Sequence, residues 1–321
     1  MDGERRRRRR EQARRRTKQQ RLIALGLALG LLAVIVVAAT AGGGEDLPER
    51  TAEAERPPEP PQLPRGGRTL FPERRVVAFY GAPQNEELGA LGIGTPAQAG
   101  RRLERQARRY VRAGRPVLPA FELISTMVHR TPGKDGKFST RQKPATIDRY
   151  LREARRRRAL LILDIQPGRA SFMDETRALR RWLEQPDVAL ALDPEWSMAP
   201  GEIPGQSIGS TDARTVNQVA AYLSRLVRRR DLPQKLLLVH RFTADMIEDE
   251  RSIRDHRGLA MVLNVDGFGT QAEKKVKYRE FTRGRRRERN GFKLFYREDT
   301  GLMTPRQTLR LRPSPDVVAY E

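Results

Sequence analysis

The chain has 321 residues, enough for one large domain or two small ones with an ample core. It has no cysteine, which excludes disulfides, thiolate nucleophiles, cysteine-ligated zinc and a lipid-modified cysteine. The net charge of +23 is unevenly placed: residues 1–21 hold +8 (eleven basic, three acidic), residues 42–72 hold −2 and residues 73–321 hold +17.

Residues 1–21 carry Arg5 to Arg10, Arg14 to Arg16, Lys18 and Arg21, directly before the twenty uncharged residues Leu22 to Ala41. Twenty apolar residues match a hydrocarbon layer of about 30 Å, and basic flanks stay cytoplasmic. The pattern predicts a basic cytoplasmic tail (1–21), a transmembrane signal-anchor helix (22–41) and an extracytoplasmic remainder on a single-pass cell-membrane protein. Ala39-Thr40-Ala41 has the spacing of a signal-peptidase site, so the chain is secreted if cleaved after Ala41. Residues 42–72, with Pro57-Pro58-Glu59-Pro60-Pro61, read as a flexible Pro/Gly/Glu linker, and the folded domain is expected to span 73–321.

Beyond residue 73, short Val/Leu/Ile/Ala runs alternate with amphipathic, Arg-rich stretches, the signature of βα units. Strands are predicted at Val76 to Tyr80, Val117 to Phe121, Leu160 to Asp164, Val188 to Asp193, Lys235 to His240, Leu259 to Val265, Phe292 to Tyr296 and Val317 to Tyr320. Helices are expected to open at Thr95-Pro96, at Ser171 and at Ser210 or Thr211. Eight strands in about 250 residues predict an α/β fold, a (β/α)8 TIM-type barrel, with a doubly wound sheet as the alternative. The long segments Glu122 to Ala145 and Trp196 to Thr211 leave strands, which places function on the C-terminal face.

The predicted strand ends bring Tyr80, Glu122, Asp164 with Gln166, Asp193 with Glu195, His240 with Arg241, Asn264 with Asp266, and Tyr296 with Glu298 and Asp299. Carboxylates that converge need either a catalytic or cation-binding use or salt bridges to arginines such as Arg169 and Arg241. As residues i and i+2 of a strand, Asp193 and Glu195 are expected to point into one space. In a catalytic reading Glu195, beside Trp196, is the general acid, and Asp193 orients a substrate group or stabilises positive charge. Asp164 or Asp266 is then nucleophile or water activator. Tyr80, Glu122, Gln166, Trp196, His240, Arg241 and Tyr296 complete the candidate substrate site, and Tyr80, Trp196, Phe268 and Tyr296 could stack on sugar rings.

The strand-four ending LALDPEW resembles the D-x-E of several glycoside-hydrolase barrels, among them the chitinase-like and bacterial lysozyme-like families. That resemblance implies Glu195 as the acid and Asp193 as the group positioning an N-acetyl substituent or nucleophile. The chitinase-like pattern has further acids upstream, where this chain has Ala189 and Ala191. The segments LLILDIQPGR, LALDPEW, IPGQSIGS, LPQKLLLVHRFT, VDGFGTQ and GFKLFY resemble a group of exported bacterial, lipoprotein-like proteins, which implies an exported single domain and no particular activity.

Other motifs carry less. Gly205-Gln206-Ser207-Ile208-Gly209 fits G-x-S-x-G but follows no strand, so Ser207 reads as part of a lid rather than a nucleophile. Gly92-Ile93-Gly94-Thr95-Pro96-Ala97 fits G-x-G-x-x-A but starts eleven residues after Gly81, and reads as a helix start. His240, with Asp164, Asp193, Glu195 and Asp266, could ligate a metal, yet no H-x-H or H-E-x-x-H spacing appears, and no metal or other cofactor is expected. The Arg clusters at 101–109, 155–158, 228–230 and 283–289 read as solvated outer helix faces that would attract phosphate-bearing wall polymer. Nucleic acid is not expected, because the basic helices lack interleaved aromatics. The sequence thus predicts a membrane-anchored, glycosidase-like hydrolase of envelope or extracellular polysaccharide. A non-catalytic binder of anionic cell-wall polymer and a metal-dependent hydrolase are the alternatives.

Overall fold

The computed structural model describes residues 59–321, apart from Ala113 and residues 285–288. The predicted tail, the span 22–41 and the linker as far as residue 58 lie outside the described residues. Among the described residues no helix is long and apolar enough to cross a membrane.

Eight parallel strands close into a ring: β1 (Arg75–Gly81), β2 (Val117–Val128), β3 (Leu160–Ile165), β4 (Val188–Leu192), β5 (Lys235–Arg241), β6 (Leu259–Val265), β7 (Arg289–Leu294) and β8 (Val317–Tyr320). Closure comes from β1 pairing with both neighbours, Val76 opposite Leu118 on one side and Val317 on the other. The fold is therefore a (β/α)8 barrel rather than an open sheet. Its main helices are α1 (Pro96–Arg108), α2 (Pro144–Arg156), α3 (Phe172–Ala178), α4 (Arg180–Leu183), α5 (Ala213–Arg229), α6 (Gln271–Thr282) and α7 (Pro305–Leu309).

Alternation along the strands divides the core in two. Val76, Ala78, Leu118, Ala120, Leu160, Ile162, Ala189, Ala191, Leu236, Leu238, Ala260, Val262, Val317 and Ala319 fill the barrel. Val77, Phe79, Leu161, Leu163, Leu190, Leu192, Leu237 and Val239 point outward under the helices.

The structure revises several sequence boundaries. The folded unit begins before residue 73, because Leu63, Leu70 and Phe71 plug the base of the barrel against the interior side chains. Polar contacts fix this plug: the Leu70 N–H donates to Gln234 Oε1 at 2.8 Å, and Arg68 reaches Asp231 at 2.7 Å. Proline and arginine dominate residues 57–72, so three isolated apolar residues carry no periodic signal there. Strand β2 runs to Val128 because Thr126–Val128 pair with the short antiparallel segment Ser139–Arg141. Strand β7 starts at Arg289 and ends at Leu294, earlier than the predicted Phe292 to Tyr296. Helix α5 is capped by Asp212, whose side chain accepts the Thr215 N–H at 2.6 Å; Thr211 is drawn off to pair with Ile247. Thr95 and Ser171 cap α1 and α3 as expected.

Candidate active site

The inward parity that places Val76 and Ala78 inside the barrel places Tyr80 one layer higher, and every strand repeats the pattern. Tyr80, Glu122, Asp164, His240, Asn264 and Lys293, in six of the strands, and Asp193 and Glu321, each one residue past the end of its strand, form a polar layer above the apolar interior. Glu122, Asp164, Asp193, His240 and Asn264 have no exposed surface. Buried charge must be neutralised or hydrogen-bonded, and here a network does so across the ring. The His240 imidazole bridges Glu122 (Nε2 to Oε1, 3.0 Å) and Asp266 (Nδ1 to Oδ2, 2.7 Å). Lys293 Nζ lies 3.2 Å from Asp266 Oδ2, 2.7 Å from Glu321 Oε2 and 3.7 Å from the Tyr80 ring centre. Gln166 donates to the Tyr80 hydroxyl (2.8 Å), which donates to Asp193 Oδ2 (3.2 Å).

Asp193 and Glu195 do not share a strand pleat, contrary to the sequence expectation. Strand β4 stops at Leu192 and residues Pro194–Trp196 form a 3₁₀ turn. Proline cannot continue the ladder, so Pro194 ends the strand between the two acids. Asp193 points down into the polar layer, while Glu195 lines an open cavity of about 420 Å3 above it. Loop 204–210 folds over this turn: the Gly209 N–H donates to the Glu195 carbonyl at 2.7 Å, and a Cβ on Gly209 would collide with the Ser197 carbonyl.

The cavity walls carry Tyr80, Gln166, Trp196, Phe242, Asp266, Phe268, Lys293, Phe295 and Glu321. Lys274 holds its roof together by donating to the Gly267 carbonyl (2.8 Å), the Lys293 carbonyl (2.9 Å) and Asp299 Oδ1 (2.8 Å). Asp299 in turn accepts the Phe295 N–H at 3.0 Å, so hydrogen bonds tie the loops after β6 and β7 together.

Burial and like charge separate the acidities of the carboxyl groups. Burial, reinforced by Asp193 and Asp266, pushes Glu195 up to about 9. Asp193, also raised by burial but partly relieved by His240 and Lys293, rises to about 6. Burial and Asp193 push Asp164 well above the usual carboxylate range. Asp266 goes the other way: burial would raise it, but Lys293 and the His240 hydrogen bond outweigh burial and hold it well below that range. Burial would lower His240 and Lys293, but Asp193, Asp266 and Glu122 outweigh it at His240, and Asp266 and Glu321 at Lys293, so both are raised. At neutral pH Glu195 is therefore protonated, above a layer in which Asp266 is ionised and Lys293 is cationic.

Two candidate residues lie elsewhere. Arg241, one residue past the inward His240, turns out of the barrel, where it stacks on Phe281 at 4.1 Å and pairs with Glu250 at 2.8 Å. Tyr296, two residues beyond the end of β7, stacks on Tyr320 at 5.1 Å on the outer side and does not line the cavity. Conversely, the sequence reading missed Lys293 and Glu321. Counting by two from Gly291 and from Val317 reaches both. Among the described residues no group of three or more His, Asp or Glu side chains is arranged to hold a metal.

No protein-family model matches the sequence, and no curated protein matches it. The fold is similar to that of a GH18 chitinase from Pseudoalteromonas aurantia, at 9% identity over 77% of this chain and 93% of that one, with a TM-score of 0.38.

Proposed function

We propose that the protein is a membrane-anchored, extracytoplasmic glycoside hydrolase acting on envelope or extracellular polysaccharide, with Glu195 as the general acid. One observation carries the reading: Glu195 lines a cavity walled by Trp196, Phe242, Phe268 and Phe295, and its carboxyl keeps an Oε2 that is shielded from solvent and has no hydrogen-bond partner. Aromatic walls suit sugar rings, and a carboxyl that keeps its proton at neutral pH can donate it to a departing glycosidic oxygen. Beneath it, Asp193 is ionised above about pH 6, held on one oxygen by Tyr80 and with Oδ1 unpartnered. It stabilises positive charge developing at the sugar carbon.

The structure favours a different role for Asp266 than attack. Its oxygens accept from His240 and from the Gly267 N–H (2.6 Å), and Lys293 lies beside it, so it is a weak base and a fixed negative charge. Asp164, wholly buried, acts through Asp193 rather than on substrate. The basic flank and apolar run in residues 1–41 support the membrane location.

The test is Glu195→Gln assayed on a broad glycan panel. Cleavage is expected to fall about a hundredfold or more while glycan binding is kept. If the unsubstituted protein cleaves nothing on that panel, the hydrolase reading fails and a binder of anionic wall polymer replaces it.

A further inference from the structure

The cavity above Glu195 does not end at the rim. Its far wall, Glu87 and Glu321, is shared with a narrow cleft that continues to Ala90, Ile93 and Tyr296. Those three residues in turn wall a second hollow of about 420 Å3 against α1. One face of α1 presents Arg102 and Arg105 to this hollow, and Arg109, the residue capping its C-terminal end, continues the row at helical spacings of three and four.

Among the described residues none of these arginines pairs with a carboxylate, and Glu104 on the same helix is taken by Arg157 at 2.7 Å. Arg102 is fixed by donating to the Ala90 carbonyl (3.0 Å) and the Ile93 carbonyl (2.7 Å), which anchors the loop that floors the hollow. Tyr296, 42% exposed and backed by Tyr320, offers a flat ring face beside the guanidinium groups. A guanidinium fork takes a carboxylate or phosphate, and a tyrosine face takes a sugar ring. The cleft between the two hollows has the opposite sign: Glu86, Glu87, Glu298 and Glu321 line it, Arg297 offsets Glu86 at 3.4 Å and Lys293 offsets Glu321 at 2.7 Å, which leaves the charges of Glu87 and Glu298.

We propose that the hollow under α1 is a distal subsite for an acidic sugar unit, and that the polysaccharide this protein takes has acidic units separated by neutral ones. A uniformly charged chain would lay carboxylates along the acidic cleft, where like charge repels them, whereas a neutral chain brings no anion to the arginines. The direction of the chain, from Glu195 to α1, rests on the proposed function; the binding does not.

The experiment uses the full chain with Glu195→Gln, so that binding is read without turnover. Hyaluronan octasaccharide (alternating uronate and N-acetylhexosamine), a galacturonate oligomer (uniformly charged) and cellohexaose (neutral) are titrated calorimetrically at low salt. The alternating oligomer is expected to bind tightest, to weaken about tenfold on adding Arg105→Glu with Arg109→Glu, and to weaken with salt. Arg101→Glu with Arg108→Glu changes the net charge equally, at exposed positions of the same helix outside the hollow, and should leave affinity unchanged. The proposal is overturned by an equal loss in that control, by equal affinity for the galacturonate oligomer, or by no binding of the alternating one. Arginine-dependent binding alongside a failure of the unsubstituted chain to cleave any glycan would reject the hydrolase reading alone.

Discussion

Replacing Glu195 with Gln should stabilise the protein, by an amount that grows with pH. In the unfolded chain this carboxyl titrates near 4.5, and in the folded protein burial beside Asp193 moves it to about 9. Between those values the folded state binds a proton that the unfolded state has released, so stability falls as pH rises. The slope is about 1.4 kcal/mol per pH unit for one proton, which makes the penalty about 3 kcal/mol at pH 7 if the site does not relax. Below about pH 4.5 the carboxyl is protonated in both states and the penalty vanishes. Glutamine matches the shape, never ionises, and sacrifices no partner of Oε2, which has none. Urea unfolding of both proteins at pH 4, 6, 7 and 8 should give midpoints that coincide at the lowest pH and diverge steadily above it. A difference that is flat with pH, or a destabilised variant at pH 7, would refute the claim that Glu195 is held protonated by its surroundings.

Three further outcomes follow from the same geometry. If Asp193 acts ionised and Glu195 protonated, glycan cleavage should show a bell-shaped pH profile, with an acidic limb near the Asp193 value of about 6 and an alkaline limb near the Glu195 value of about 9. Lys274→Met strands the buried Asp299 carboxylate, so it should cost about 3–5 kcal/mol in chemical denaturation and speed amide exchange in the loops carrying Phe268 and Phe295. Leu70→Ala, at a fully buried position in the base plug, should cost about 2–5 kcal/mol in urea midpoint, whereas a flexible spacer would register nothing.

Period-two reasoning recovered the ring because the barrel strands carry few competing signals. The runs LLILD and VALAL can only be strands bounded by turns, and their inward acids follow by parity. It failed where a side chain defied its context. Lys293 sits between Phe292 and Leu294, and with the strand drawn three residues late it fell inside an apolar run instead of ending an inward row. That same shift put Tyr296 at a strand end and so into the wrong site. Glu195 was found although the geometry assumed for it was not: Pro194 converts the pleat into a turn, and that turn lifts Glu195 into the cavity while Asp193 stays below. The base plug was invisible because its apolar residues are three among prolines and arginines, and only the barrel they close gives them meaning.

That stopper has a corollary for traffic. With Leu63, Leu70 and Phe71 beneath an interior already packed with apolar side chains, nothing crosses the strand ring, so any molecule reaching Glu195 must arrive and leave on the C-terminal face. Departing fragments then compete with incoming chains for a shared doorway, so inhibition by released fragments is expected to be competitive.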